Sequence, residues 1–316
     1  MKFSILCSLM LLSASCAFSS HRRIEAKMGR PATIAAAQAS LALKESGSGP
    51  IEFERIVAAS WAVDRSGLLN LEHPKAKHIK DTLESIEIYT YRITHPRYGT
   101  FLIDTGISEE LASDGDSDAI GWMVAKSMNI DKLKTNISTA KILERIPGRL
   151  QGVFLTHLHL DHILGMPDIG NQVPVYIGPG DISNSAFLHL FVQGSADRLL
   201  AGKAALREWR FDREHDAIDV FGDGSLWVLH MPGHSPGSVA FLIHSKEGPV
   251  LITGDTCHTG FGWANGVEPG SYTADHKRNR ESLRILRTIA TKYPEVQVHL
   301  GHQRFGQKLS PYGDNE

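Results

Sequence analysis

The chain has 316 residues and a formal net charge of −2, which argues against nucleic acid as a partner because phosphate neutralisation needs concentrated positive charge. Hydrophobic residues make up 42% and charged residues 22%, the usage of a globular protein rather than of a disordered or fibrous one. With 16 His and only 3 Cys, the composition directs metal chemistry toward imidazole and carboxylate ligands and excludes a cysteine-rich zinc module.

The first 17 residues are typical of a signal peptide. Lys2 precedes an apolar stretch over residues 5–18, which closes on small residues. This stretch is too short for a membrane span, which needs roughly 20 apolar residues, and no later segment approaches that length. A cut after Ala17 competes with a lipoprotein cut before Cys16, which would then carry a lipid anchor. We therefore expect an exported protein, either periplasmic or secreted, or anchored to the membrane through Cys16.

Residues 18–50 are interpreted as a tether or N-terminal extension, with helical character around residues 33–44. A single domain is predicted over residues 51–316. Its β-rich runs are Arg55–Ala59, Ile86–Thr94, Thr100–Asp104, Gly152–Thr156, Val173–Gly178, Ser225–Met231, Ser238–His244, Pro249–Thr253 and Val296–Leu300. Helices are predicted at Ser117–Met128, Asp197–Glu208 and Arg280–Lys292. Strands that precede and then alternate with helices favour a layered α/β protein with mixed sheets over an all-parallel Rossmann order.

A dense histidine motif follows the predicted strand at residues 152–156. Residues 156–162 have the sequence THLHLDH. Because alternate residues of an extended segment face the same side, His157 and His159 can bind one cation. Asp161 and His162, just past the end of the strand, can turn to a second cation beside it. These four neighbouring ligands predict a metal site.

Three more candidate ligands stand at the ends of later strands. His234 lies in a turn rich in Gly and Pro, residues 231–238, that presents one imidazole. Asp255 ends the apolar run over residues 250–255, and His302 ends the run over residues 296–302. A two-metal hydrolytic site needs about three protein ligands per ion, so we expect all these side chains at one rim.

The order of these motifs resembles that of the metallo-β-lactamase-fold hydrolases over roughly residues 53–308. The histidine motif, the PGHSPG turn, the Gly-Asp strand end and the terminal Gly-His occur in the family's order. Residues 101–106 are also similar to an early strand and turn of that family. The resemblance implies a four-layer αββα sandwich of two mixed β-sheets, with a dinuclear centre, usually of zinc, at one edge of the sheets.

The resemblance also assigns the seven candidates to two divalent ions, which we expect to be Zn²⁺. The first ion would be held by His157, His159 and His234, the second by Asp161, His162 and His302, and Asp255 would bridge them. A hydroxide that bridges the metals would attack the substrate, since zinc lowers the pKa of bound water from 15.7 to about 7. Asp161 would then pass a proton to the leaving group as a catalytic residue, or act as a ligand alone.

A comparison with the known branches of this family limits the reactions that the resemblance implies. True β-lactamases of the superfamily generally lack the bridging carboxylate that Asp255 supplies, and glyoxalase II-like thioesterases act on a mainly intracellular substrate. The closest resemblance is to quorum-quenching N-acyl homoserine lactonases, which implies that a small-molecule lactone or ester is opened. The alternatives are a phosphodiesterase or thioesterase of the same fold, or a metal-binding protein without turnover.

One position departs from the lactonase pattern. Many lactonases have a Tyr three positions after the bridging Asp, where this chain has His258. We expect the His258 imidazole to be catalytic and to donate a similar hydrogen bond to the substrate carbonyl. Cys257 beside it is expected to be a packed residue rather than a ligand. Asp104 is expected to orient a metal-binding His from behind.

Overall fold

The computed structural model describes residues 19–42, 50–115, 118–183 and 187–310. The predicted signal peptide, with Cys16 and both cleavage positions, lies outside the described residues. In these ranges the strands are β1 (Arg23–Glu25), β2 (Arg30–Thr33), β3 (Glu52–Asp64), β4 (Leu83–His95), β5 (Gly99–Ile103), β6 (Lys134–Thr135), β7 (Leu150–Phe154), β8 (Val175–Ile177), β9 (Leu206–Glu208), β10 (Asp216–Asp219), β11 (Leu226–His230), β12 (Val239–Ser245), β13 (Gly248–Ile252) and β14 (Gln297–His299).

The strands form two mixed sheets. The first has the order β1-β9-β8-β7-β5-β4-β3-β6, and the second has the order β14-β13-β12-β11-β10-β2. The α-helices are α1 (Ile34–Ala42), α2 (Arg65–Leu68), α3 (Glu109–Asp114), α4 (Trp122–Ser127), α5 (Thr139–Glu144), α6 (Leu160–Ile163), α7 (Phe187–Leu199), α8 (Gly260–Asn265) and α9 (His276–Lys292). None of the helices in the described part of the chain is both long and apolar enough to span a bilayer.

Apolar runs in the sequence become strands that are buried on both faces. In β5, Phe101 and Ile103 pack into the core between the two sheets, while Leu102 packs into the core on the other side of the first sheet. In β13, Ile252 faces the core between the sheets and Leu251 the core shared with α9. Because side chains alternate along a strand, continuous apolar runs of this kind require layers on both sides. The predicted four-layer α/β class is confirmed.

All nine predicted strands are present. The helix predicted over Ser117–Met128 is shorter than expected, since α4 covers only Trp122–Ser127 and Ser117 lies outside the described residues, whereas the last predicted helix is present. The prediction of a helix over residues 197–208 is wrong beyond Leu199, where α7 ends, because residues 206–208 form β9. Gly202, with φ of +75°, lies in the turn between them and reverses the chain. The last helix begins at His276, earlier than predicted, since the Asp275 side chain accepts a hydrogen bond from Arg278 N as a cap.

The segment after residue 18 differs from the expected tether. β1 pairs in parallel with β9 at the edge of the first sheet, and β2 pairs antiparallel with β10 at the edge of the second. The expected helical character is present as α1, which buries Ala37 and Leu41. Both edge strands consist mostly of exposed residues. They are held by backbone pairing, so the sequence carries no apolar alternation that would reveal them.

Candidate metal centre

The predicted ligands lie just beyond the ends of strands that run to one edge of the two sheets. The histidine motif follows β7 and enters α6, and the turn with His234 connects β11 to β12. Asp255 follows β13 in a short 3₁₀ turn, and His302 follows β14, which is parallel to β13. Parallel strands present their carboxyl ends at the same edge, so residues distant in sequence meet there.

Three imidazoles form the first group of ligand atoms. His157, His159 and His234 each offer a nitrogen, and these nitrogens all lie within 4.8 Å of one another. The His234 Nε2 atom is 2.8 Å from His159 Nδ1. His157 and His234 are buried. This is the set predicted for the first metal.

The second group contains two carboxylates and two imidazoles. Asp161, His162, Asp255 and His302 also offer ligand atoms within 4.8 Å of one another. The His302 Nε2 atom is 3.2 Å from Asp161 Oδ2 and 3.2 Å from Asp255 Oδ2. All the residues predicted for the second metal are therefore together.

Asp255 lies between the two groups. Its Oδ2 atom is 3.5 Å from His234 Nε2 and 3.7 Å from His157 Nε2 in the first group. The same oxygen is 3.3 Å from His162 Nε2 in the second group. The described structure thus places one carboxylate oxygen where both sets of imidazoles meet, as a bridging ligand requires.

The polar atoms of this centre fit a bound cation. Among the described residues, His157 Nε2, Asp255 Oδ1 and His258 Nε2 are buried atoms without a hydrogen-bond partner. An unpaired buried polar atom costs free energy, and native structures nearly always pair such atoms. Imidazole nitrogens and carboxylate oxygens are the donors that zinc and related divalent ions bind.

The charge states of the two groups also suit metal ions. Burial, together with the neighbouring imidazoles, holds the pKa of His157 and of His234 well below the usual value, so both are neutral and carry a free lone pair. Burial opposes ionisation of Asp255, but the neighbouring imidazoles, His302 first, outweigh it and hold its pKa well below the usual range. The first group therefore offers neutral nitrogens beside an ionised carboxylate. In the second group burial opposes protonation of His302, but the Asp255 and Asp161 carboxylates outweigh it and raise the pKa of His302 to about 10, so a metal ion binds there by displacing a proton.

Asp104 lies behind the ligands, as expected. Its Oδ2 atom is 2.9 Å from His162 Nδ1, and its carboxylate accepts hydrogen bonds from the Thr156 backbone N–H (2.8 Å) and hydroxyl. This contact directs His162 Nε2 toward Asp255. Asp104 has φ of +55°, a left-handed backbone that costs free energy in a non-glycine residue and often marks functional sites.

We expect Asp104→Asn to weaken metal binding by roughly 10- to 100-fold, because the neutral amide no longer stabilises the Nδ1–H form of His162. Chelator competition on the metal-free protein measures the effect. Asp223→Asn is a matched control, since the Asp223 carboxylate lies 2.9 Å from His95 Nε2 at a position outside both ligand groups. Equal metal affinity of Asp104→Asn and wild type would contradict this role.

Asp181 is a site residue that the sequence analysis missed. The buried carboxylate accepts hydrogen bonds from Leu158 N at 3.1 Å and from Gly237 N at 2.7 Å. It therefore ties the loop of His157 and His159 to the turn of His234. The only signal in the sequence is a Gly-Pro-Gly-Asp turn at residues 178–181, which does not indicate what the carboxylate contacts.

Asp181 gives the stability of the metal-free protein a specific pH dependence. Burial raises the pKa of Asp181 to about 6 in the folded protein, whereas the unfolded chain ionises near pH 4. Between these values the folded state binds more protons, so stability falls as the pH rises. We expect the free energy of unfolding, measured relative to Asp181→Asn, to fall by about 2 kcal/mol from about pH 4 to pH 6.

Urea unfolding of both proteins across this pH range measures the difference. Asp131→Asn, at an exposed position, is the control. Parallel stability curves for wild type and Asp181→Asn would show that Asp181 does not titrate in this way.

Known proteins share this sequence pattern. Residues 88–302 match the family described as the metallo-beta-lactamase superfamily. The N-acyl homoserine lactonase AttM of Agrobacterium fabrum is 30% identical over 225 residues, which cover 69% of this chain and 82% of AttM. The hydroxyacylglutathione hydrolase GloC of Haemophilus influenzae is 30% identical over 119 residues, which cover 37% of this chain and 55% of GloC.

Solved structures share the fold. A quorum-quenching N-acyl homoserine lactone lactonase superimposes with a TM-score of 0.59 and 18% identity, covering 83% of this chain and all of that protein. An N-acyl homoserine lactone hydrolase with bound N-hexanoyl-L-homoserine gives a TM-score of 0.57 at 16% identity, covering 83% of this chain and 99% of that protein. The resemblance inferred from the motifs is confirmed. Both the sequence match and the two-sheet fold show that the chain belongs to the metallo-beta-lactamase superfamily of metal-dependent hydrolases.

Proposed function

We propose that this protein is an exported, dinuclear metal-dependent hydrolase that opens a lactone or ester such as an N-acyl homoserine lactone. The observation that carries the proposal is the meeting of both ligand groups at Asp255 Oδ2. The likeness to AttM, a lactonase that matches over most of its length, supports the substrate class. The two ions, which we take to be Zn²⁺, would supply Lewis acidity and a hydroxide nucleophile at neutral pH.

The side chains of the centre would have two roles, which are binding the ions and transferring a proton. The His157, His159 and His234 imidazoles would hold one ion, and His162 and His302 would hold the other with Asp161. The Asp161 side chain is 17% exposed, against 6% or less for His162, His302 and Asp255, so it borders the open side of the centre. Asp161 would take up the proton of the hydroxide that has added to the carbonyl and pass it to the leaving alkoxide.

Four positive side chains that a phosphoester pocket could use have other partners, which favours a lactone over a phosphoester. A phosphoester pocket gathers free Arg or Lys to bind the anionic substrate. Four candidates are instead occupied by other partners: Lys203 by Ile169 O, Arg207 by the Tyr176 hydroxyl, Arg278 by Glu214 and Arg280 by Glu268. None of these partners is one of the seven predicted ligands.

The function is tested with the mature chain from residue 18, loaded with zinc. Ring opening of short- and long-chain N-acyl homoserine lactones is followed by pH-stat, beside a phosphodiester, a thioester and a β-lactam. We expect the lactones to be the preferred substrates and turnover to be lost on chelation. Preference for the phosphodiester or thioester would replace the lactonase proposal with the corresponding alternative, and no turnover of any substrate by the metal-loaded protein would overturn it.

The proposal of export rests on the N-terminal sequence. Expression of the whole chain in a bacterial host, followed by fractionation, tests it. A soluble periplasmic product that begins at Phe18 corresponds to the cut after Ala17, and a membrane-associated, lipid-modified product that begins at Cys16 corresponds to the lipoprotein. A full-length product that stays in the cytoplasm would contradict export.

A further inference from the structure

A backbone contact determines which ring nitrogen of His258 carries the proton. The side chain is 1% exposed, and its Nδ1 atom lies 3.2 Å from the carbonyl oxygen of Leu68 at the end of α2. A carbonyl oxygen only accepts hydrogen bonds, so Nδ1 carries the proton and donates it. In a neutral imidazole the other nitrogen, Nε2, then has a bare lone pair.

The Nε2 atom of His258 faces the metal centre. It lies 3.0 Å from Asp255 Oδ2, yet the described residues provide it with no aligned hydrogen-bond partner. Two atoms with lone pairs at this separation repel each other unless a cation lies near both. The ring stands edge-on to His234, with centroids 5.0 Å apart. His157 Nε2, a predicted ligand atom, is likewise buried and unpartnered.

This arrangement differs from the expected role of His258. A hydrogen bond to the substrate carbonyl needs a proton on Nε2, but the contact with Leu68 places the proton on Nδ1. An imidazole at this position is therefore not equivalent to the Tyr hydroxyl of the lactonases it resembles. The bare nitrogen is instead a Lewis base directed into the centre.

We propose that His258 is an eighth protein ligand, whose Nε2 binds the same divalent ion as His234. The three side chains His234, Asp255 and His258 offer ligand atoms within 4.8 Å of one another. Leu68 O fixes the tautomer of His258, as a carbonyl commonly does for metal-binding imidazoles. An added nitrogen donor favours zinc, cobalt or iron over magnesium or calcium. The inference rests on the proposed dinuclear centre.

Cadmium provides a test that does not depend on activity. The metal-free protein is loaded with ¹¹³Cd²⁺, and scalar coupling between ¹¹³Cd and the ring protons of each His is measured by NMR. We expect coupling to His258 in addition to the five predicted His ligands, through the ion that also couples to His234. His258→Phe should remove this coupling, shift that cadmium resonance and weaken binding at that site by roughly 10- to 100-fold.

His95→Phe is a matched control. His95 is also a buried imidazole, and it packs against an aromatic ring and contacts Asp223. It lies at the end of β4, whereas the residue of β4 whose carbonyl contacts His302 is Glu87, near the start of the strand. His258→Tyr tests the lactonase residue in the same place, and we expect it to bind cadmium as weakly as His258→Phe.

The outcomes separate this inference from the proposed function. Two bound cadmium ions that couple to the other histidines but not to His258, with unchanged affinity in His258→Phe, would overturn the eighth ligand and leave the dinuclear centre intact. Failure of the wild type to bind cadmium or zinc at the seven predicted ligands would overturn both. Coupling to His258 that is lost in His258→Phe but retained in His95→Phe would support the assignment.

Discussion

Replacing Asp255 with Ala is expected to abolish hydrolysis and to reduce the metal content from about two ions per chain to about one or fewer. Five imidazole Nε2 atoms, those of His157, His162, His234, His258 and His302, lie within 3.7 Å of its Oδ2 atom. Without the carboxylate, the two ions would share none of the predicted ligands, and the repulsion between two dications is no longer offset. We expect kcat/KM to fall by roughly 10³-fold or more.

Metal analysis after gel filtration, combined with lactone turnover, measures this effect. Asp255→Asn is the matched variant, because it keeps the shape of the side chain and removes only the charge. We expect it to lose metal as well, though less completely than Asp255→Ala. A variant Asp255→Ala that retains both ions and wild-type turnover would show that Asp255 is not the bridging ligand.

Replacing Gly301 with Ala is expected to disturb the same carboxylate from outside the ligand set. A Cβ atom at residue 301 would lie 2.3 Å from Asp255 Oδ1 and 3.0 Å from the Gly254 carbonyl oxygen. These separations are too short for a Cβ atom. The backbone at residue 301 is also fixed, because its N–H donates a hydrogen bond to Cys257 O at 2.9 Å. Either the carboxylate or the loop with His302 must move. A displacement of about 1 Å at a catalytic centre costs on the order of 10²-fold in rate.

Lactone turnover and zinc affinity of Gly301→Ala are the measurements, with thermal unfolding as a check that the fold survives. Gly170→Ala is the control, because a Cβ there would make only an ordinary contact of 3.5 Å with Val173. We expect overpacking to cost Gly301→Ala about 1–3 kcal/mol of stability. Wild-type zinc affinity and turnover in a folded Gly301→Ala protein would disprove the close packing against Asp255.

The ligand set could be predicted because its chemistry is local. His157 to His162 form a dense motif after an apolar run, and Asp255 and His302 each end such a run. Apolar runs mark buried strands, and the carboxyl ends of strands are where sites of layered α/β proteins form. Cys257 is buried, and its Sγ contacts Thr259 O, as expected of a packed residue.

The orientation of side chains could not be predicted in the same way. Asp181 contacts Leu158 N and Gly237 N only because β8 brings residue 181 between two loops from different parts of the chain. The tautomer of His258 depends on the carbonyl of Leu68, which is distant in sequence. Neither contact leaves a trace in spacing or composition.

Sequence alone determined the strand runs, the order of the motifs and the types of ligand, because burial and metal affinity follow from residue type and local periodicity. The tertiary structure decided which distant groups meet. It placed Asp255 between two sets of imidazoles, added β1 and β2 to the sheet edges and directed His258 Nε2 into the centre. Backbone pairing and side-chain contacts between remote segments depend on the packing of whole layers, which no local pattern records.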